Sequence, residues 1–321
     1  MTDEKRAFVF PGQGAQKIGM GIEFARAFSA SMRVFEEVDD ALGEKLSDAI
    51  WYGNEESLRL TRNAQPALMA TSIAALRALV AEGAAIDRVD YLAGHSLGEY
   101  SAFCAAGSIS LADTARLLRI RGDAMQTAVS PGSGAMAALL GLDLESAIAV
   151  AKDAAQDDIC ETANDNDPKQ VVVSGHRCAV ERAVELARSR GAKRAVMLPV
   201  SAPFHCSLME SAKAAMIEAL DRVEIRQPVV PVVANVNARP VSDPAEIRKS
   251  LVEQITSRVR WRESVEWLRA EDVTQIYELG IGAALSGMAR RIDRSLSCIA
   301  VNDAASVKAA AAKMRNFDGD V

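Results

Sequence analysis

Apolar residues along the chain recur in two patterns. Short runs bounded by glycine, proline or charge read as buried strands: Ala7-Phe8-Val9-Phe10, Val89-Asp90-Tyr91-Leu92-Ala93, Val229 to Val236, Ile276-Tyr277-Glu278-Leu279-Gly280 and Cys298 to Val301. Longer stretches with apolar residues three and four apart read as helices. Ile22 to Ile50 carries Phe24, Phe28, Phe35, Val38 and Leu42 near that spacing. A second helix is expected to begin near Gln65-Pro66, because proline suits a first turn, and to run to Val80. Its alanine and leucine content suits close packing on a sheet. Further helices are expected from Glu99 to Ala106, Leu111 to Met125, Ser207 to Leu220, and from Leu251 on to Arg262.

Around Ser130-Pro131-Gly132-Ser133-Gly134 the pattern changes. Strand (Ala135 to Leu140), helix (Leu144 to Ala154), strand (Ile159 to Ala163), strand (Gln170 to Ser174), helix (Val180 to Arg190) and strand (Ala195 to Leu198) follow in turn. This β-α-β-β-α-β order is the ferredoxin-like plan. It predicts a small domain, residues 130–198, inserted into a larger one made of 1–129 and 199–321. Asn164-Asp165-Asn166-Asp167-Pro168 is expected to be a solvated hairpin turn. It lacks a histidine and calcium-loop spacing, so no metal site is expected there.

Composition changes the picture only by exclusion. The chain has 321 residues, 49% hydrophobic and 25% charged, with a net charge of −6. That balance argues against general nucleic-acid binding, which needs a basic footprint. The five cysteines are scattered without a C-x-x-C pair, which points to a reducing compartment and to neither zinc nor disulfides. Apolar runs are broken well short of the ~20 residues of a membrane span. The charged Met1-Thr2-Asp3-Glu4-Lys5-Arg6 leads into a strand, not a signal-peptide core. A cytoplasmic location is expected. The last residues, Asn316 to Val321, are expected to fray.

The sharpest chemical signal is Gly94-His95-Ser96-Leu97-Gly98-Glu99-Tyr100, a G-x-S-x-G turn between a strand and a helix. It pushes a serine hydroxyl out at its tip and puts helix N–H groups near a developing oxyanion. Pro11-Gly12-Gln13-Gly14-Ala15-Gln16 is a loop where backbone can approach a ligand. There Gln13 offers a backbone N–H or a side-chain amide, or belongs to an ordinary turn. Arg121 shares a helix face with Leu117, Leu118 and Met125, so its guanidinium must be paired: with a protein carboxylate, or with a substrate carboxylate held bidentately. Of three histidines, His95 precedes the serine and should point away from its hydroxyl. His205, in a loop after two prolines, is favoured as general base over His176 at a strand end. Arg290, Arg291 and Arg294 cluster on a late helix as a solvated face or a docking patch.

Phe10-Pro11-Gly12-Gln13-Gly14-Ala15-Gln16, then Gly94 to Tyr100, then Arg121, then Ala202-Pro203-Phe204-His205-Cys206, together resemble the malonyl-CoA:acyl-carrier-protein transacylase family, as does Tyr277-Glu278-Leu279-Gly280. The resemblance spans most of the chain in that family's order. It implies an α/β fold: an α/β-hydrolase-like large domain with a parallel sheet core and a ferredoxin-like insert, in agreement with the pattern above. It implies transfer of malonyl from malonyl-CoA to the phosphopantetheine thiol of acyl carrier protein, for fatty-acid synthesis, without metal or redox cofactor. By position, Ser96 is then the nucleophile, His205 its base and Arg121 the carboxylate clamp. Gln13 and Leu97 supply oxyanion N–H groups, and the Gln254 carbonyl orients the histidine. Phe204 matches the malonyl-selective pattern. A monomer and an acidic carrier partner follow from the same resemblance, while charge and the short apolar runs predict no nucleic-acid or membrane partner. Arg258 and Ile281 stand where family members often carry proline, which touches loop geometry and not the chemistry. Competing readings are a polyketide-pathway malonyltransferase, a serine hydrolase on the same scaffold and an inactive carrier-binding module.

Overall fold

The computed structural model describes residues 5–200 and 202–318. The chain opens with β1 (Lys5–Phe10), whose alternate side chains go to opposite faces: Phe8 and Phe10 into one core, Ala7 and Val9 into another. Three helices follow where one stretch was expected, α1 (Ile22–Ala27), α2 (Ser29–Leu42) and α3 (Leu46–Tyr52). The breaks have local causes. Phe28 is extended, which buries its ring in the core, and Gly43 closes α2 in the left-handed conformation at φ 65°.

After α4 (Glu55–Arg59), the long α5 runs Thr61–Ala81, so it begins before Gln65-Pro66. Pro66 lies within it and offers no N–H to the Arg62 carbonyl. By length and composition α5 could cross a membrane, yet 83% of its apolar window is buried inside the fold. β2 (Tyr91–Gly94), α6 (Leu97–Ala105) and α7 (Leu111–Thr127) come next, with Ser110 capping α7 through the Asp113 N–H.

Residues 134–197 build the second sheet. β3 (Gly134–Leu140), α8 (Leu144–Ala155), β4 (Cys160–Asp167), β5 (Gln170–His176), α9 (Arg177–Ser189) and β6 (Arg194–Met197) form an antiparallel sheet in the order β4-β5-β3-β6. Ala135, Ala137 and Leu139 face α8 and α9, while Met136 and Ala138 face the large core.

The chain returns through α10 (Glu210–Asp221), β7 (Val232–Ala234), β8 (Arg239–Val241), α11 (Pro244–Glu253), α12 (Trp261–Ala270), β9 (Val273–Leu279), α13 (Ala284–Ile292), β10 (Ser297–Val301) and α14 (Ala304–Asp318). The large sheet has the order β10-β9-β1-β2-β7-β8, parallel except for the edge strand β8. The expected fraying from Asn316 to Val321 falls on positions whose side chains, and beyond Asp318 whose backbone, lie outside the described residues.

Two corrections bear on the site. Leu251 to Arg262 is not one helix. α11 ends at Glu253 and α12 starts at Trp261, and the intervening segment frees the Gln254 carbonyl. Nor is Asn164–Asp167 a solvated turn: these residues extend β4 and are buried. The turn is Pro168-Lys169. The polar side chains are buried because the large domain satisfies them. Asn166 Oδ1 lies 2.8 Å from His95 Nε2, Arg262 donates to Asp165 at 2.8 Å, and Arg291 donates to Asp167 at 2.7 Å. The Asp165 N–H and the Val259 N–H each donate across the domain boundary, to Val259 and Ala163 carbonyls at 2.9 Å. The small domain is thereby pinned beside the end of β2.

Candidate active site

β2 ends at Gly94 and α6 begins at Leu97, so the turn between them is two residues long. Ser96 takes φ 55° and ψ −113°, a conformation that non-glycine residues avoid. Two glycines make room for it. A Cβ on Gly94 would lie 1.9 Å from the Gly98 carbonyl carbon, and one on Gly98 would lie 2.1 Å from the Phe10 carbonyl oxygen. Asn235, just past β7, locks the turn. Its side-chain oxygen accepts the Ser96 N–H at 2.9 Å and its amide nitrogen donates to the Gly94 carbonyl at 2.7 Å.

The obstacles at Gly98 are backbone atoms of β1 and of the loop after it, which cannot rotate aside. Gly98→Ala is expected to destabilise the protein by about 4 kcal/mol or more, at the severe end of point substitutions. Urea unfolding of the variant checks this. A loss below about 1 kcal/mol would mean that β1 and α6 separate easily.

The serine hydroxyl meets two partners. Ser96 Oγ lies 2.7 Å from His205 Nε2, and Arg121 Nη2 donates to the same Oγ at 3.2 Å. His205 has its own strained backbone, at φ 59°, and its Nδ1 lies 2.9 Å from the Gln254 carbonyl oxygen. A carbonyl only accepts, so Nδ1 carries the proton and Nε2 presents a lone pair to the serine. Burial, then the nearby Arg121 charge, push the His205 pKa down to about 3. The resting imidazole is therefore neutral.

Arg121 is 2% exposed. Its guanidinium donates to the side-chain oxygens of Gln65 at 2.7 Å and Gln254 at 2.8 Å, and lies 5.5 Å over the Tyr100 ring. Burial lowers its pKa, opposed by Tyr100 and Glu99, but a guanidinium keeps its proton. Among the described residues its hydrogen-bonding side-chain partners are neutral, so no carboxylate there is in direct contact with the charge. An anion entering the cleft would complete it.

Ser96, His205, Arg121, Gln13, Leu97 and Phe204 all line one cleft of about 460 Å³, beneath the small domain's Met136 and Asn164. Among the described residues, neither the Gln13 N–H nor the Leu97 N–H is spent on a protein acceptor. The Gln13 side-chain oxygen is occupied by the Thr61 hydroxyl at 2.9 Å. Its backbone N–H and its side-chain amide nitrogen remain as donors on the cleft.

His176 and the arginine patch lie outside the cluster, and His95 lines the cleft without bonding the serine hydroxyl. His176 lies in the small sheet, where its Nδ1 accepts the Ile159 N–H at 3.1 Å. His95 bonds Asn166 and packs against Trp261 with ring centroids 5.8 Å apart. The arginine patch is partly spent inside the protein, Arg290 on the Cys298 carbonyl and Arg291 on Asp167.

Gln65, Asn235 and Glu99 join the site without a signal in the local sequence. Glu99 is fully buried three residues after the serine. Its Oε2 accepts the Gln254 amide at 2.7 Å and the Asn235 N–H at 3.1 Å, and burial pushes its pKa up to about 7. Among the described residues, no group of three or more His, Cys, Asp or Glu could hold a metal ion.

Comparison with known proteins gives a consistent result. The acyl transferase domain model matches residues 7–310. A malonyl CoA-acyl carrier protein transacylase from Bacillus subtilis (strain 168) is 46% identical over 307 residues, 95% of this chain and 96% of the relative. The crystal structure of an acyl-carrier-protein S-malonyltransferase from Bartonella henselae superposes with a TM-score of 0.95 at 52% identity, covering 97% of this chain and 99% of that one. A malonyl-transacylase solved in complex with its type II polyketide acyl-carrier protein superposes with a TM-score of 0.94 at 42% identity, covering 97% and 100%. The chain belongs to the acyl transferase domain family, among the malonyl CoA-acyl carrier protein transacylases.

Proposed function

We propose that this chain transfers malonyl from malonyl-CoA to holo acyl carrier protein in two half-reactions through a malonyl-Ser96 ester. The observation that carries the reading is the Ser96–His205–Gln254 relay, 2.7 Å and 2.9 Å long, with a buried guanidinium at the same hydroxyl. His205 Nε2 takes the Ser96 proton as Oγ attacks the thioester carbon. The oxyanion falls to the N–H groups of Gln13 and Leu97, an interaction worth about 3–4 kcal/mol per donor. The imidazolium Nδ1–H stays on the Gln254 carbonyl. As the tetrahedral species collapses, the C–S bond breaks and His205 returns the proton to the CoA sulfur. The carrier thiol then attacks the malonyl ester, giving its proton to His205, which passes it to Ser96 Oγ.

Arg121 binds the malonyl carboxylate. A substrate without that group leaves the guanidinium buried without an anion, which is the basis of selection. No step calls for a metal or redox cofactor. We place the chain in the cytoplasm as a monomer; its net charge of −6 and scattered cysteines fit a soluble protein in a reducing compartment.

Intact-protein mass spectrometry after brief mixing with malonyl-CoA tests this. The expected result is a malonyl adduct on the wild-type chain, discharged by holo acyl carrier protein. Free malonate appearing as fast as CoA, without carrier, would make the chain a hydrolase instead. A second reading differs only in the acceptor, because one structural neighbour is a partner of a polyketide carrier. Discharge rates with fatty-acid and polyketide holo carriers, compared at equal concentration, separate the two. We expect the fatty-acid carrier to be faster.

A further inference from the structure

Among the described residues, Glu99 is the carboxylate that sits in the buried polar cluster behind Ser96, and the mechanism above leaves it unused. It is 0% exposed. Both of its hydrogen bonds go to residues that touch the reacting groups. One is to Gln254, whose amide nitrogen donates also to the Ser96 carbonyl at 2.9 Å and whose side-chain oxygen accepts from Arg121. The same residue's backbone carbonyl holds His205. The other is to the backbone N–H of Asn235, whose side chain locks the turn on either side of Ser96. Each of Ser96, His205 and Arg121 is therefore one residue removed from Glu99.

A side-chain amide has two ends that differ only in which is donor and which acceptor. If Gln254 were flipped, its NH2 would face the Arg121 guanidinium, donor against donor, and its oxygen would face the Ser96 carbonyl. An anionic carboxylate at the nitrogen end forbids that flip. It also lies behind the amide on the line Glu99 carboxylate, Gln254 amide, Arg121 guanidinium, so the two charges sit at opposite ends of one polarised amide.

We propose that Glu99 is a positioning residue for malonyl loading, acting through the Gln254 side chain. The inference rests on the roles proposed above for Ser96, His205 and Arg121.

The titratable groups facing Glu99 are Arg121 from α7 and Tyr100 from α6 itself. The β7 and α11 ends present the neutral Asn235 and Gln254. Burial opposes the Glu99 anion; the Gln254 amide, the Asn235 N–H and then the Arg121 charge favour it, and the balance leaves the carboxyl titrating near neutral pH. On protonation the proton goes to Oε1, which has no partner among the described residues. Oε2 then accepts as a neutral carbonyl, roughly half as strongly. His205, pushed down to about 3, does not change charge in this range.

The test is single-turnover malonyl loading from malonyl-CoA, followed by intact mass between pH 5.5 and 8.5, on the full chain. For the wild type the rate is expected to rise about tenfold with pH, with a midpoint near 7. Glu99→Gln keeps both acceptor contacts without the charge and is expected to load at the low plateau throughout, with no midpoint. In a Gln254→Leu background, which retains the backbone carbonyl, Glu99→Gln is expected to change nothing further. Thermal melts of Glu99→Gln and wild type report whether the fold is kept. A flat wild-type profile, a midpoint that survives in Glu99→Gln, loading by Glu99→Gln at the wild-type high plateau, or a full Glu99→Gln loss in the Gln254→Leu background would each overturn the proposal. A wild-type chain that forms no adduct at any pH overturns instead the nucleophile reading on which it rests.

Discussion

Ser96→Ala is expected to form no malonyl adduct and to lower malonyl transfer by about 10⁶-fold. The size follows from what remains. His205 keeps its lone pair and the oxyanion N–H groups keep their places, but no atom near Nε2 can be acylated. The nucleophilic side chain next to His205 in the sequence is Cys206. Burial pushes that thiol up to about 11, and its Sγ–H is given to the Pro203 carbonyl at 3.2 Å. At neutral pH it is neither ionised nor aimed at the cleft. Direct attack by the carrier thiol on malonyl-CoA would require both pantetheine arms inside one cleft of about 460 Å³. The check is intact mass after mixing with malonyl-CoA, followed by carrier loading over hours. An adduct on the alanine variant, or transfer within about a hundredfold of wild type, would move the nucleophile elsewhere.

The variant should otherwise be benign. Ser96 spends its N–H on Asn235 and its carbonyl on Gln254, and both bonds are backbone groups that alanine retains. The strained φ of 55° is held by Gly94, Gly98 and Asn235 and not by the hydroxyl. Loss of activity with an unchanged unfolding midpoint is therefore the expected pairing.

What could be read from the chain alone divides along a physical line. Strands and helices with one apolar face announce themselves by period, and the element order of the βαββαβ segment is readable for that reason. The G-x-S-x-G turn was readable because its glycines answer a steric need that no other residue meets. Asn164 to Asp167 misled because Asn, Asp and Pro favour turns when nothing else satisfies them. Here His95, Arg262 and Arg291 satisfy them from far along the sequence, and the strand continues. Local composition carries no trace of partners that distant. The break at residues 254–260 was missed for a similar reason: Val259 leaves the helical path to pair with Ala163 and Asp165.

Within the site, charged and nucleophilic residues drew attention by chemistry, and neutral amides did not. Gln65, Asn235 and the Gln254 side chain look like any other polar positions until the fold places them on Arg121 and Ser96. Arg121 was the intermediate case. Its place in an apolar stripe said that it must be paired, but not with what. The structure narrows the answer, since both amide partners are uncharged and the guanidinium faces the cleft.

Arg121→Ala is accordingly expected to separate two substrates. Malonyl loading should fall by about 10³-fold, the loss of a bidentate charge-assisted pair at about 1.5–3 kcal/mol per bond. Acetyl loading should fall by less than about tenfold or rise, for a reason that lies in His205. Arg121 is the second cause, after burial, of the low His205 pKa. With a malonyl carboxylate bound, the guanidinium field at the imidazole is offset and His205 becomes a stronger base as the correct substrate arrives. With acetyl-CoA the field is uncompensated and the base stays weak. Removing the guanidinium deletes both the clamp and the brake. The expected outcome is therefore a preference for malonyl over acetyl that collapses by more than a hundredfold, with the acetyl rate carrying part of the change. Equal losses on the two substrates would show that Arg121 supports the cleft without reading the carboxylate.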